Sequence, residues 1–219
     1  MAKVYITGSV KNVRALYSNH LKLVNEKAKI RKWLEETVQI LWNGYQIANP
    51  GVVVELANFH PNLIGASSEA VFATTVSYKE IEEVILEEYG FFSWDDVQEA
   101  GSFNPLFEQA VNVALQGDIA TMQTLLDKDP TIISETSSFG HKASIIQYLA
   151  ANGVEMWRQY VSQNVIEMLE LLIEFGANPN TENNIFGGST LRTLIETSEH
   201  SFKSGKTDEM LDRLAVYGY

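Results

Sequence analysis

The chain has 219 residues, 45% of them hydrophobic and 20% charged, with no cysteine. That composition supports a sizeable core and excludes a disordered chain, disulfides, thiolate metal sites and cysteine nucleophiles. Sixteen basic residues against 28 acidic ones leave a net charge of −12, which argues against broad nucleic-acid or anionic-membrane binding.

The opening residues, Met1-Ala-Lys-Val-Tyr-Ile-Thr-Gly8, carry no signal-peptide apolar stretch. The longest apolar runs, such as Ala70–Ala73, are four residues long, against the ~20 of a membrane helix. A soluble, cytoplasmic protein is expected. Charge is uneven: residues 1–46 hold eight basic residues and three glutamates, with a cluster at Lys22, Lys27, Lys29, Arg31 and Lys32. As a nucleic-acid arm this segment would sit on an acidic protein. The favoured reading is a solvated helix face lying against the acidic body.

In chain order, Val4–Ile6 and Val52–Val54 are short β-branched runs, too short to build a sheet. From Val13 to Leu41 apolar residues recur at spacings of three and four, the helical period. Trp42 to Pro61 reads as helix–turn–helix with Asn49-Pro50 at the turn. Ser77-Tyr-Lys-Glu80 is a capping box opening a helix over Ile81–Tyr89 that stops at Gly90. Ser93-Trp-Asp-Asp96 has cap-like form. Asn104-Pro105 pairs an N-cap with proline at the first helical position, opening Pro105–Gln116. Gly117-Asp118 ends that helix and caps the next. Further helices are predicted over Ser144–Asn152, over Val165–Phe175 behind a capping box at Asn164…Glu167, over Thr190–Glu196 and over Glu209–Tyr217.

Three segments share a pattern of Met, Leu four residues on, and a breaker after four more: Met122–Pro130, Met168–Gly176 and Met210–Gly218, spaced by 46 and 42 residues. Each follows another helix, so the unit is helix, turn, helix, breaker, as in a helical repeat array. The stretch Leu171-Leu-Ile-Glu-Phe-Gly-Ala-Asn-Pro-Asn180, together with Ala114-Leu-Gln-Gly-Asp118, resembles the ankyrin-repeat family. Ser144-Ile-Ile-Gln147 and Ser189-Thr-Leu-Arg192 stand where the family has its "TPLH" turn, without its proline or histidine, so irregular turns are expected. Gly140-His-Lys-Ala143, Ala151-Asn-Gly-Val-Glu155, Arg158-Gln159 and Glu88-Tyr-Gly-Phe-Phe-Ser-Trp94 resemble a bacterial group of ankyrin-repeat proteins. The resemblance implies a fold and a binding role and no reaction. Units longer than the usual ~33 residues place insertions at Gly153–Gln163 and Ser198–Thr207.

Motifs for chemistry fail. Ser204-Gly-Lys-Thr207 lacks the upstream glycine of a phosphate loop. Asn178–Asn184 lacks the glycine and glutamate of a calcium loop. His20, His60, His141 and His200 offer no helical metal pair, so no metal and no cofactor is expected. Trp94 is expected to plug the junction between N-terminal helices and array.

The expected fold is all-α: an ankyrin-like solenoid of three to four irregular units over residues 101–219, behind an N-terminal helical region over 1–100, with a degenerate repeat at 37–61. Glu155, Trp157, Arg158, Thr197, Ser198 and His200 flank the two insertions, and register stacking brings both to one edge. There they form either a ligand pocket or, in the blander reading, a Glu155–Arg158 pair holding an irregular loop. The expected function is a non-catalytic protein-binding scaffold with a basic protein partner, present as monomer or weak homodimer. The alternative is a small-molecule binder or enzyme using Glu155, Arg158 and His200.

Overall fold

The computed structural model describes residues 3–25 and 28–219; Lys27, part of the predicted basic cluster, lies outside them. Among the described residues the fold is all-α, with thirteen α-helices and one two-stranded sheet. None of these helices is long and apolar enough to cross a membrane.

The chain begins with β1 (Val4–Tyr5), then α1 (Gly8–Tyr17). The helical period from Val13 to Leu41 does not make one helix. Ser18, at φ 45, ends α1, and the chain continues as a 3-10 segment (Ser18–Asn25) before α2 (Ile30–Gln46). Val52–Val54 lie inside α3 (Pro50–Phe59), where Asn49 Oδ1 accepts from Gly51 N and proline follows it. Next come α4 (Ser68–Ala73), α5 (Tyr78–Glu88) and α6 (Trp94–Ala100). The Ser77/Glu80 capping box forms, and Ser93 Oγ accepts from Asp96 N at 3.2 Å.

Helices α7 (Pro105–Gln116) and α8 (Ile119–Lys128) are joined by left-handed Gly117 and capped by Asp118, which accepts from Thr121 N. The predicted helix over Ser144–Asn152 is a single turn, α9 (Ile145–Tyr148). Beyond it β2 (Val161–Ser162) and α10 (Val165–Glu174) follow. No capping box forms at Asn164. Its amide donates instead to Gly117 O at 3.1 Å, so it fastens two turns together rather than closing its own helix. The chain ends with α11 (Leu191–Glu196), α12 (Glu199–Ser204) and α13 (Thr207–Val216), so the predicted second insertion is itself helical.

Two apolar cores form. One gathers α1 to α6 around Trp33, Leu34, Tyr89 and Phe103, and also takes in Phe139, Met156 and Trp157 from the C-terminal half. The other runs from Phe107 to Leu214. In it α7 packs on α8 and α9, α8 on α10, α9 on α11, and α10 and α11 on α13. Trp94 does not plug the junction. It is half-buried with the Arg31 guanidinium 6.0 Å from its ring centroid. Phe139, packed against Trp33 and Tyr89, and the buried Trp157 fill that place.

The N-terminal segment lies against the insertion after α9. Val4 pairs with Ser162 and Tyr5 with Val161, antiparallel. Arg14 donates to Trp157 O at 3.1 Å and stands 5.3 Å over the Tyr160 ring. Of the other basic residues, Arg31 pairs with Glu35 at 2.9 Å and Lys32 with Glu36 at 3.8 Å.

Candidate functional site

The insertion after α9 carries a charge cluster sealed from solvent. Arg158, at the end of the 3-10 turn Met156–Arg158, is 0% exposed. Its Nη2 donates to Glu108 at 2.6 Å and to Asn112 Oδ1 at 3.2 Å, and its Nη1 donates to Glu155 at 3.2 Å. The guanidinium lies 4.3 Å from the Trp157 ring centroid and 5.5 Å from that of Tyr148. Tyr148 OH donates to the same Glu155 oxygen. Burial alone would raise the Glu155 carboxyl, but Arg158 and His141 outweigh it and hold it below its ordinary value. At Glu108 burial wins over Arg158 and the carboxyl is raised. His141 Nδ1 accepts from Ala143 N, which places the ring proton of the neutral form on Nε2, 3.8 Å from Glu155.

Beside it lies a second group of acids with no cation. Glu55 on α3 is wholly buried, within range of Glu88 and Tyr17, and burial pushes its carboxyl up to about 8. Glu88, the last residue of α5, is raised well above the usual carboxylate range by burial and then by Glu55. Its Oε1 accepts from Met156 N at 2.9 Å, tying α5 to the insertion, while its Oε2 is buried with no hydrogen-bond partner. Tyr17 and Tyr89 hydroxyls are buried alongside, and both are raised by burial.

Glu88 and His141 also line a cleft of about 490 Å³ between α3, the end of α5 and the loops 152–159 and 184–187. Its walls include Phe59, Phe91, Ile185 and two solvent-facing phenylalanines, Phe92 (95% exposed) and Phe186 (71% exposed). Phe92 is positioned by a backbone contact next to it. Gly90, at φ +72, and Gly140 approach so closely that a Cβ on Gly140 would sit 2.0 Å from Gly90 O. Phe186 sits at φ 49, ψ 37, a region unfavourable for a bulky residue. Asn183 Oδ1 holds that turn by accepting from Ile185 N and Ser189 N. The cleft continues into a second of about 430 Å³ through shared Asn58, Asn152, Met156 and Gln159. Thr197, Glu199 and His200 lie on its far side.

The chain just after α9 and the chain just after α11 lie side by side: Asn152 donates to Thr197 Oγ1 at 2.9 Å and Ser198 Oγ donates to Ala151 O at 3.4 Å. The six residues singled out from the sequence divide between two surroundings. Thr197 is exposed and, with the buried His200, lines the second cleft; Ser198 is buried and caps α12. Burial keeps His200 below its ordinary pKa, favouring the neutral ring. Glu155, Trp157 and Arg158 line neither of these clefts: all three are buried, and Arg158 faces Glu155 and Glu108. Met156 and Gln159, their neighbours, face the cleft instead. The residues missed from sequence are Phe92, Phe186 and Glu88. The signal for the first two was an aromatic within a glycine-flanked turn, Gly90-Phe-Phe-Ser93 and Ile185-Phe-Gly-Gly188. Nothing local marked Glu88. Among the described residues no group of histidines and carboxylates is arranged to hold a metal ion.

Comparison with known families, curated proteins and solved structures returns no match.

Proposed function

We propose that this chain is an ankyrin-like repeat scaffold without catalytic activity that recognises a polypeptide, in the paired clefts rather than on an open inner helix face. Support for the repeat reading comes from packing. Helices α7, α9 and α11 follow one another in one row, and α8, α10 and α13 in another, as stacked helix pairs do. Successive turns are also joined: Ser137 N donates to Ala143 O across a hairpin, and Asn184 donates to the backbone of His141 and Gly140 in it, both at 2.8 Å. Gln147 Nε2 donates onward to Thr181 O at 2.9 Å.

The inner row offers little free surface. Every residue of α9 is buried, and Val154–Val161 are buried beneath the N-terminal helices. Recognition therefore moves to the cleft edge. The observation that carries the reading is the pair Phe92 and Phe186: two large aromatic side chains held in solvent on one cleft, one of them in a strained backbone conformation. Exposed aromatics next to a pocket are the usual anchors of a protein interface, and the elongated pair of clefts suits an extended chain.

Placing a photoreactive benzoylphenylalanine at position 92 tests this. Irradiation in lysate is expected to give discrete polypeptide adducts that are missing when the same group replaces Ile47, which is 75% exposed. Equal adduct patterns at both positions would refute the reading.

A further inference from the structure

Resting on that cleft reading, we infer that the side chain it takes is an arginine of the bound polypeptide, its guanidinium stacked on the exposed phenylalanines and paired with Glu88.

The cleft is acidic, with the His141 Nε2–H as a donor beside its acceptors. Its charged lining residues are Glu87 and Glu88, and the adjoining cleft adds Glu199; neither lining contains a lysine or an arginine. Four side-chain amides line the first cleft, and each commits its NH2 group to a protein carbonyl. Asn58 donates to Val54 O at 2.7 Å, Asn152 to Leu194 O at 3.0 Å, Gln159 to Val154 O at 2.6 Å and Asn184 to Gly140 O at 2.8 Å. A backbone carbonyl only accepts, so these bonds fix which end of each amide is oxygen. That leaves four amide oxygens as acceptors, beside one spare N–H each on Asn58, Gln159 and Asn184. With acidic side chains and no lysine or arginine in either lining, such a site favours a cationic ligand that donates hydrogen bonds.

The charge of that ligand follows from the buried acids. Arg158 serves Glu108 and Glu155. Glu88 lines the cleft and its Oε2 has no geometric hydrogen-bond partner. Burial favours its protonated form in the free protein, and an arriving guanidinium favours the ionised form, so that Glu88 gives up its proton and pairs with the cation.

Guanidinium fits better than ammonium. It carries five N–H donors in a plane, is more weakly hydrated and stacks on aromatic faces. The cleft supplies each counterpart: phenylalanine faces, a carboxylate and amide oxygens.

The test is a random dodecapeptide phage library selected on the full chain, keeping peptides that bind the wild type and not the Phe92→Ala/Phe186→Ala double variant. These are expected to share an arginine. In synthetic copies measured by calorimetry, arginine replaced by citrulline should weaken binding about tenfold to a hundredfold, the worth of hydrogen bonds to a charged group, and replacement by lysine should weaken it less. Glu88→Gln keeps an acceptor for Met156 N, so it should melt no lower than wild type yet lose affinity in the same range. Cleft-dependent peptides without arginine, or unchanged affinity with citrulline, would overturn the inference while leaving the cleft reading intact. If no selected peptide depends on Phe92 and Phe186, the cleft reading fails along with it.

Discussion

Replacing Glu55 by glutamine should stabilise the protein at alkaline pH and leave it nearly unchanged at pH 5. The Glu55 carboxyl is buried on α3 facing Tyr17 from α1 and Glu88 from α5, with Tyr89 beside them, and no cation reaches it. Burial raises it from 4.5 to about 8. An acid raised on folding holds its proton in the native state after the unfolded chain has lost it. Stability then falls as pH rises between these values and reaches its floor above the higher one. At about 1.4 kcal/mol for each tenfold change in proton binding, the full effect approaches roughly 5 kcal/mol. Relaxation around the site and sharing of the proton with Glu88 reduce this to about 2–4 kcal/mol, or roughly 4–16 °C in melting temperature for a chain of this size. Glutamine is isosteric, carries no charge, and has an NH2 able to donate to Glu88. Urea unfolding of both proteins followed by tryptophan fluorescence from pH 5 to 9 measures the difference. Parallel stability curves over that range would refute the assignment of an unpaired buried acid at this position.

Removal of the Arg158 charge works in the opposite sense. Arg158→Met leaves Glu108 and Glu155 buried against each other, and a loss of about 3–5 kcal/mol is expected in denaturant titration. Arg158→Lys should recover little, since one ammonium cannot reproduce the fork to two carboxylates, whereas adding Glu108→Gln to Arg158→Met should recover part. Gly140→Ala puts a methyl group 2.0 Å from Gly90 O, so its melting temperature should fall sharply. Gly8→Ala meets no atom within 4 Å and should stay within about 0.5 kcal/mol of wild type.

Local chemistry was legible in the sequence and long-range chemistry was not. The caps at Ser77, Ser93, Asn104 and Asp118 and the glycine stop at Gly117 need only neighbours within four residues, and the structure has all of them. Asn164 has the same local form, yet its amide serves Gly117, far away in the chain, so the expected capping box is absent. The helical period across Val13–Leu41 was real on both sides of Ser18, but periodicity does not register one residue that turns left-handed. The candidate site divides in the same way. Segments 151–152 and 197–198 do lie side by side. That Glu155 and Arg158 are buried was not legible, because the Glu108 that Arg158 faces is remote in sequence and charged residues are ordinarily exposed. Phe92 and Phe186 were hidden for the converse reason: an aromatic residue is assigned to a core by default, and only tertiary structure shows that none receives it.

The two-residue sheet sets an order of events in folding. Val4 and Tyr5 leave the ribosome long before Ser162 and Val161, their only strand partners among the described residues. Closing so long a loop adds little to the entropy cost, which grows only logarithmically with length, but contacts this distant along the chain form slowly. Helix α1 packs on α3 and on the 156–158 turn, so its apolar face also waits for the insertion to emerge. The nascent chain therefore has an early phase in which α7 and α8 can pair locally while Val4, Tyr5 and α1 remain undocked. The cleft, whose walls come from α3 and from loops as late as residue 187, forms only after that last loop has been made, so the proposed polypeptide would meet it late in synthesis.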